Sequence, residues 1–216
     1  MTSSKKKQIK SGLILLPRGY ISSSALDLWE SSPKQFARKY FEGQDIDRPN
    51  DYMTFGKRLA QHLETGEFAD DPMIAFAKNF LPSFGNNEHE QTTTLKTAYG
   101  DIKLLGKFDD FDPSVPKIYE HKTGKTKWTA SRVQSHGQLK FYAVIISNEF
   151  GVSPEQELNW IETVKVGDTV RPTGVVERFY YRATPEEIEE KKRQIINACL
   201  EIDQAYRNYL KQIENA

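Results

Sequence analysis

Apolar positions recur every four residues at Phe55, Leu59 and Leu63, which places them on one stripe of a helix, and Gly66 suits the end of that helix. His62 lies beside the stripe. Upstream, Ile21 to Phe41 opens with serines able to cap a helix and then sets Leu26, Trp29, Phe36 and Tyr40 among charged residues, with Pro33 as a break. The pattern predicts two short helices there, a further helical piece over Met73 to Phe80, and a polar loop over Gly85 to Gln91. Beyond Gln91 the texture turns to β: a threonine-rich run, a turn at Tyr99-Gly100-Asp101, a strand over Ile102 to Phe111, a loop holding Pro113 and Pro116, and a strand over Lys117 to Lys122. This predicts a three-stranded meander. Val133 to Ser147 is apolar at helical spacing, and Leu158 to Val166 with Val175 to Arg182 read as two strands around Gly167-Asp168. A last helix starts at Thr184-Pro185-Glu186-Glu187, with the stripe Ile188, Ile195, Cys199, Ile202, Tyr206 and Ile213. The order of these elements predicts an α/β fold, a single domain with a mixed β-sheet flanked by helices.

The chain has 216 residues, 38% of them hydrophobic, enough for one substantial core. Residues 1–20 read as a basic N-terminal extension, with Lys5, Lys6, Lys7 and Lys10 ahead of the short apolar run Leu13-Ile14-Leu15-Leu16. That run is shorter than the core of a signal peptide, and no stretch approaches the length of a membrane span. Lysine plus arginine equals aspartate plus glutamate at 30 each, so any charge signal is local. The single Cys199 excludes an internal disulfide and a four-cysteine zinc or iron–sulfur site within this chain. A reducing, cytoplasmic setting without a membrane partner is expected.

Chemistry concentrates between Gly106 and Gly124. Glu120 and Lys122 are two apart on a predicted strand and leave the same face of the sheet. If the preceding loop is centred between Ser114 and Val115, Asp109 lies opposite Glu120 on the neighbouring strand, with Cβ atoms about 4.5 to 5.5 Å apart. Two like charges facing each other destabilise a sheet unless something neutralises them, and a divalent cation with oxygen ligands does so. Mg2+ or Mn2+ held by Asp109 and Glu120 would polarise a phosphodiester and acidify a bound water, with Lys122 orienting that water or offsetting developing charge. The spacing alone also fits a solvated strand face, and a slip of one residue would separate the two carboxylates.

Five motifs in order resemble the PD-(D/E)xK nuclease superfamily, and in particular its RecB-like exonuclease branch, which includes nuclease domains of bacterial recombination helicases and CRISPR adaptation exonucleases. They are Ile21 to Leu26 with Ser32-Pro33, Phe55-Gly56 to His62, Gly106 to Asp109, Glu120-His121-Lys122-Thr123-Gly124, and Gln138 to Tyr142. The resemblance implies a restriction-endonuclease-like core over residues 21–216 and a prokaryotic or phage-encoded DNA exonuclease. It implies metal ligation by His62, Asp109, Glu120 and the backbone carbonyl of His121, with Lys122 as the catalytic lysine. Gln138 and Tyr142, four apart on one helix face, fall at the DNA-facing edge. Relatives with an iron–sulfur cluster carry a cysteine before the proline of the opening helix, whereas this chain has Ser32-Pro33, so no cluster is expected.

From Lys122 to Asn148 there is no acidic residue, and Lys125, Lys127 and Arg132 accompany Trp128, Phe141 and Tyr142. Basic side chains beside stacking aromatics suit a single-strand channel, which makes Lys125, Lys127 and Arg132 candidate substrate contacts. Two other readings remain at this point: a nucleic-acid-binding accessory subunit that no longer cuts, and a structure- or site-specific endonuclease. The expected partner is DNA, alongside a helicase, a recombinase or the CRISPR adaptation machinery.

Overall fold

The computed structural model describes residues 14–81 and 88–215. A two-residue strand β1 (Ile21–Ser22) leads into helices α1 (Ser23–Ser31) and α2 (Pro33–Tyr40), then α3 (Asp51–Thr65) and α4 (Pro72–Lys78). The meander follows as β2 (Glu88–Thr97), β3 (Gly100–Asp112) and β4 (Lys117–Gly124). Helices α5 (Ala130–Gln134) and α6 (Gly137–Phe150) carry the chain across to β5 (Glu155–Val166), which turns into β6 (Thr169–Tyr181) and the closing helix α7 (Pro185–Glu214).

The six strands form one mixed sheet. Along one edge of β3 runs antiparallel β2, with Thr93 opposite Leu104. The other edge is divided. Its first part takes β1 in parallel (Ile21 opposite Leu104), and its end takes β4 antiparallel, with Asp110, Phe111 and Asp112 opposite Tyr119, Ile118 and Lys117. Between those two stretches β3 has no strand partner on that edge, and Asp109 lies there. β4 then pairs in parallel with β5 over its whole length, through the α5–α6 crossover.

The two faces of the sheet differ. Ile118, Leu158 and Trp160 belong to the large core with α1, α6 and α7, whereas Ile161 belongs to a smaller cluster with Phe55 and Leu59 of α3 and Ile74 and Ala77 of α4. Side chains alternate along a strand, so Ile118, Glu120 and Lys122 turn toward α6, and Tyr119, His121 and Thr123 turn toward α3. Helix α6 is buried almost all round from Leu139 to Ile146, as befits a helix between a sheet and α7. Cys199 sits in this core, where burial pushes its thiol up to about 12. Among the described residues no helix is long and apolar enough to cross a membrane.

Several boundaries differ from the sequence pattern for local reasons. The helix expected over Val133 to Ser147 is two helices, because the chain breaks at Ser135-His136 and restarts with His136 as N-cap of α6. Glu88 to Gln91, expected as loop, already belongs to β2, while Gly85 to Asn87 lie outside the described residues. Residues 14–20, expected in the N-terminal extension, are packed on the domain: Ile14 and Leu16 are buried in the large core and the Leu15 N–H donates to the Asp203 carboxylate. Residues 1–13 lie outside the described residues. The α7 stripe holds through Ile202. Tyr206 instead packs on Phe41, and Ile213 is exposed. The capping box at Thr184 and Glu187 starts α7 as its sequence indicates.

Gly56 of α3 faces β4, where a methyl group in its place would meet Thr123 Oγ1 at 3.0 Å. A glycine inside a helix costs about 0.5–1 kcal/mol relative to alanine, so the close approach offsets a loss of helix propensity. Gly56→Ala is therefore expected to gain about 0.5–1 kcal/mol in a Thr123→Ala background and less, or nothing, with Thr123 present. Urea unfolding of the four proteins checks this. Equal effects of Gly56→Ala in both backgrounds would remove the contact as the reason for the glycine.

Candidate active site

The pairing of β3 with β4 ends at Asp110 opposite Tyr119, one residue short of Asp109 and Glu120, in the register of a loop centred between Ser114 and Val115. The two strands then diverge. The carboxylate of Asp109 spans the gap, accepting the backbone N–H of His121 at 2.6 Å. On the α6 side the Glu120 carboxylate is only 4% exposed. Its Oε1 is paired with the Lys122 ammonium, and its Oε2 is buried with no hydrogen-bond partner.

Lys122 also donates to Gln138 Oε1 at 2.8 Å, the Gln138 amide donates to Tyr142 Oη at 2.7 Å, and the Tyr142 hydroxyl donates to the Lys107 carbonyl. This chain of donors runs from the ammonium through one face of α6 to the unpaired stretch of β3. Gln138 and Tyr142 reach each other because they are four apart on α6.

Burial and charge act against each other here. Burial raises the Glu120 carboxyl to about 7; the Lys122 charge pulls it down and the Asp109 charge pushes it up again. Burial works to lower Lys122, but the charges of Glu120 and Asp109 outweigh it and hold the ammonium above its ordinary range. Burial, then the charges of Glu120 and Asp109, raise Tyr142 well above its usual value, so it stays a neutral donor. Glu120 Oε2 is a buried oxygen without a hydrogen-bond partner, and a divalent cation with oxygen ligands fits it.

Two cavities flank the pair. The larger, about 380 Å3, lies between α3 and β4 and is lined by Asn50, Met53, Lys57 and Ala60 of the helical side and by Asp109, His121, Lys122 and Thr123. The smaller, about 210 Å3, opens beside Gln138 and Tyr142 at the start of α1, where Arg18, Ser22, Ser23, Ser24 and Lys107 surround it. Ser23 is 5% exposed and its hydroxyl lacks a partner; Arg18 is held over the rings of Tyr20 and Tyr40 and donates to Ser22.

Asp109, Glu120, Lys122, Gln138 and Tyr142 are thus brought together. His62 is not. It is buried on the α3 face that carries Phe55 and Leu59, its Nδ1–H donates to the Glu67 carbonyl at 2.7 Å, and it does not line the cavity, where Ala60 stands instead. Among the described residues no three histidine, cysteine, aspartate or glutamate side chains are grouped to hold a metal. The His121 side chain, in contrast, is on the cavity side, and burial lowers its imidazole below the ordinary range.

The basic segment is arranged differently from a stacking channel. Trp128, Phe141 and Tyr142 are buried in the large core, so the expected base-stacking role does not fit them. Lys125, Lys127 and Arg132 are exposed, with Lys127 paired to Glu177 at 2.6 Å and the Arg132 guanidinium lying over Trp128 at 4.0 Å. Lys57, Thr123 and the Arg18–Ser24 cavity were missed in the sequence pattern. Lys57 had a signal, since Met53, Gly56, Lys57 and Ala60 share the helix face opposite Phe55 and Leu59; the small cavity is made by parts of the chain distant in sequence and had none.

No family profile matches the chain, and no curated protein matches it. Solved structures do share its fold. A protein described as an exonuclease from Eubacterium rectale is 14% identical, with a TM-score of 0.56 over 95% of this chain and 88% of that one. A phage-related exonuclease from Haemophilus somnus is 12% identical, with a TM-score of 0.51 over 84% of each chain. An alkaline exonuclease from Laribacter hongkongensis is 12% identical, with a TM-score of 0.50 over 91% of this chain and 94% of that one. At these identities the likeness establishes the fold: a mixed sheet covered by helices on both faces, shared with proteins described as exonucleases.

Proposed function

We propose that the chain is a divalent-metal-dependent DNA nuclease, an exonuclease of the RecB-like type, acting in DNA processing, recombination or defence. The observation that carries this reading is the convergence of Asp109, buried Glu120 and Lys122 where β3 and β4 part, beside a cavity open to substrate. Asp109, Glu120 Oε2 and the His121 carbonyl would hold Mg2+ or Mn2+, which when bound supplies a Lewis acid for the phosphodiester and an acidified water. Lys122, fixed by Glu120 and Gln138, orients the attacking water and offsets negative charge on the phosphate in the transition state. Tyr142 keeps Gln138 in place and does not ionise. Arg18, Lys107 and the serine hydroxyls at the start of α1 suit a neighbouring phosphate of the substrate backbone, since a helix N-terminus favours negative charge.

Asp109→Ala, Glu120→Ala and Lys122→Ala are each expected to abolish cleavage while the fold persists, because the three act in one step and their losses are not additive. Digestion of end-labelled and covalently closed DNA with Mn2+, Mg2+ or EDTA checks activity, metal need and end dependence together. Parental activity in any purified single variant removes that residue from the mechanism, and cutting of closed circles removes the exonuclease assignment. Binding without cutting at any metal concentration would leave an accessory subunit.

Glu120 also makes the metal-free protein sensitive to pH. Its folded carboxyl titrates near about 7 against an ordinary 4.5, so the stability it contributes is present below 4.5 and is lost as pH rises through about 7. The melting temperature without metal is expected to fall across that window, and Glu120→Gln should flatten the fall. Mn2+ should raise the melting temperature, more at the upper end of the window than at the lower. A metal-free profile identical in the parent and Glu120→Gln would exclude a titrating Glu120, and no shift with Mn2+ would exclude the cation.

Lys125, Lys127 and Arg132 extend the positive surface from the site without base-stacking partners, so their contacts would carry affinity and little sequence information. Replacing all three with alanine in the Glu120→Ala background should weaken binding by a similar factor on all sequences. It should also flatten the log–log salt dependence by up to about 2, at roughly 0.7 per single-strand phosphate contact. An unchanged slope in a binding titration across a salt series would take the three residues out of the interface.

A further inference from the structure

We infer that the larger cavity holds one nucleotide of the substrate strand, its base against Tyr52 and Met53 of α3 and its phosphate between Lys57 and Lys122. The inference rests on the nuclease reading and adds a base-binding wall to that site. At about 380 Å3 the cavity is at the lower end of the roughly 300–1,000 Å3 that encloses a small molecule, room for a single nucleoside and not for a stacked run of them. Its two walls differ in kind. Tyr52, Met53, Gly56 and Ala60 make the α3 side largely apolar, whereas Asp109, Lys122 and Thr123 make the strand side polar. A ligand that satisfies both walls has a flat apolar part and an anionic part. A nucleotide has both, whereas a free phosphate or a metal ion has only the charge.

Helical spacing produces the apolar wall. Met53, Gly56, Lys57 and Ala60 stand three, four and seven residues along α3, so they share one face of the helix, while Phe55 belongs to the small cluster on its other side. Tyr52 packs on that cluster and also lines the cavity, so its ring is held in place with part of its surface open. Met53 beside it is 51% exposed, and the two leave an apolar surface for a base to cover. Stacking on an aromatic ring tolerates any sequence, because every base has a π-face. Lys57 is exposed and brings positive charge from the helical wall, and Lys122 brings it from β4. The two cavities meet at one hydrogen bond: Lys122 lines the larger, and Gln138, which accepts from it at 2.8 Å, lines the smaller with Arg18 and Lys107. A strand with one nucleotide in the larger cavity therefore carries its next phosphate past Lys122 toward the smaller.

Photocrosslinking of the full chain tests the placement independently of cleavage. Single-stranded oligonucleotides with iododeoxyuridine at each position in turn, bound to Glu120→Ala and irradiated, should crosslink to Tyr52, as read by mass spectrometry of the digested protein. Crosslinks at Tyr20 of the smaller cavity without any at Tyr52 overturn the inference. Cleavage kinetics give a second readout on oligonucleotides with and without one abasic nucleotide. In the parent, loss of the base should slow cutting at that nucleotide about 5–100-fold. Tyr52→Leu, which keeps an apolar side chain on the small cluster, should cut both substrates at similar rates. Lys57→Met should raise KM for both by a similar factor and keep the abasic penalty. A parent that cuts abasic and intact positions equally well also overturns the inference and leaves the nuclease reading standing. A chain that crosslinks at Tyr52 and cuts no DNA overturns the nuclease reading and keeps the nucleotide cavity, and a chain that binds no DNA overturns both.

Discussion

The Glu120 carboxylate, sealed from water at the point where two strands stop bonding, is the constraint around which the rest is arranged. An uncompensated buried charge costs several kcal/mol, more than the roughly 0.5–1.5 kcal/mol that an ordinary hydrogen bond contributes. The polar groups nearby therefore serve that charge. Lys122 neutralises it, Gln138 fixes Lys122, and Tyr142 fixes Gln138 by spanning to the Lys107 carbonyl. Glu120 keeps a buried oxygen without a hydrogen-bond partner, and the proposed cation would satisfy it.

The two faces of the sheet divide the work of holding that site. On the α6 side, a large apolar core runs from Ile118 and Leu158 through Leu139 and Ile145 to Ile195, with Gln156 buried among them and donating to the Leu139 carbonyl. The α3 side is a small apolar cluster beside a row of buried polar side chains, His121, Glu157 and Asn159. The apolar cluster that holds α3 is smaller than the one that holds α6, and a glycine, Gly56, faces Thr123 of β4. The larger cavity thus lies on the side where the packing is thinner.

Much of this was legible because β periodicity leaves little freedom. Pro113 and Pro116 bound the loop, and the pairing of Asp110 with Tyr119 has the register expected of a loop centred between Ser114 and Val115. The spacing of Gln138 and Tyr142 was readable in the same way. His62 was harder: a 3.6-residue period puts it with Phe55 and Leu59, but its position beside the apolar stripe left its direction open until the Glu67 carbonyl was seen to hold it. The break at His136 has no proline or glycine before it to mark it, and the burial of Trp128 depends on α5 folding back on the sheet. Residues 14–16 read as part of an extension because their partners, Asp203 and the large core, come from the far end of the chain.

The burial of the aromatics changes what the basic segment can do. With Trp128 buried, the Arg132 guanidinium lies 4.0 Å over its ring and is held there by cation–π attraction. Lys127 is restrained by Glu177 of β6 in the same way. Lys127 and Arg132 are thus held at set positions, a serine-rich helix start borders the cavity beside Gln138 and Tyr142, and a tyrosine lines each cavity, Tyr52 in the larger and Tyr20 in the smaller. Phosphate contacts position a nucleic acid without identifying its sequence. Under the proposed nuclease reading, such contacts would select for backbone and for the geometry of access to the gap between β3 and β4, with little dependence on sequence.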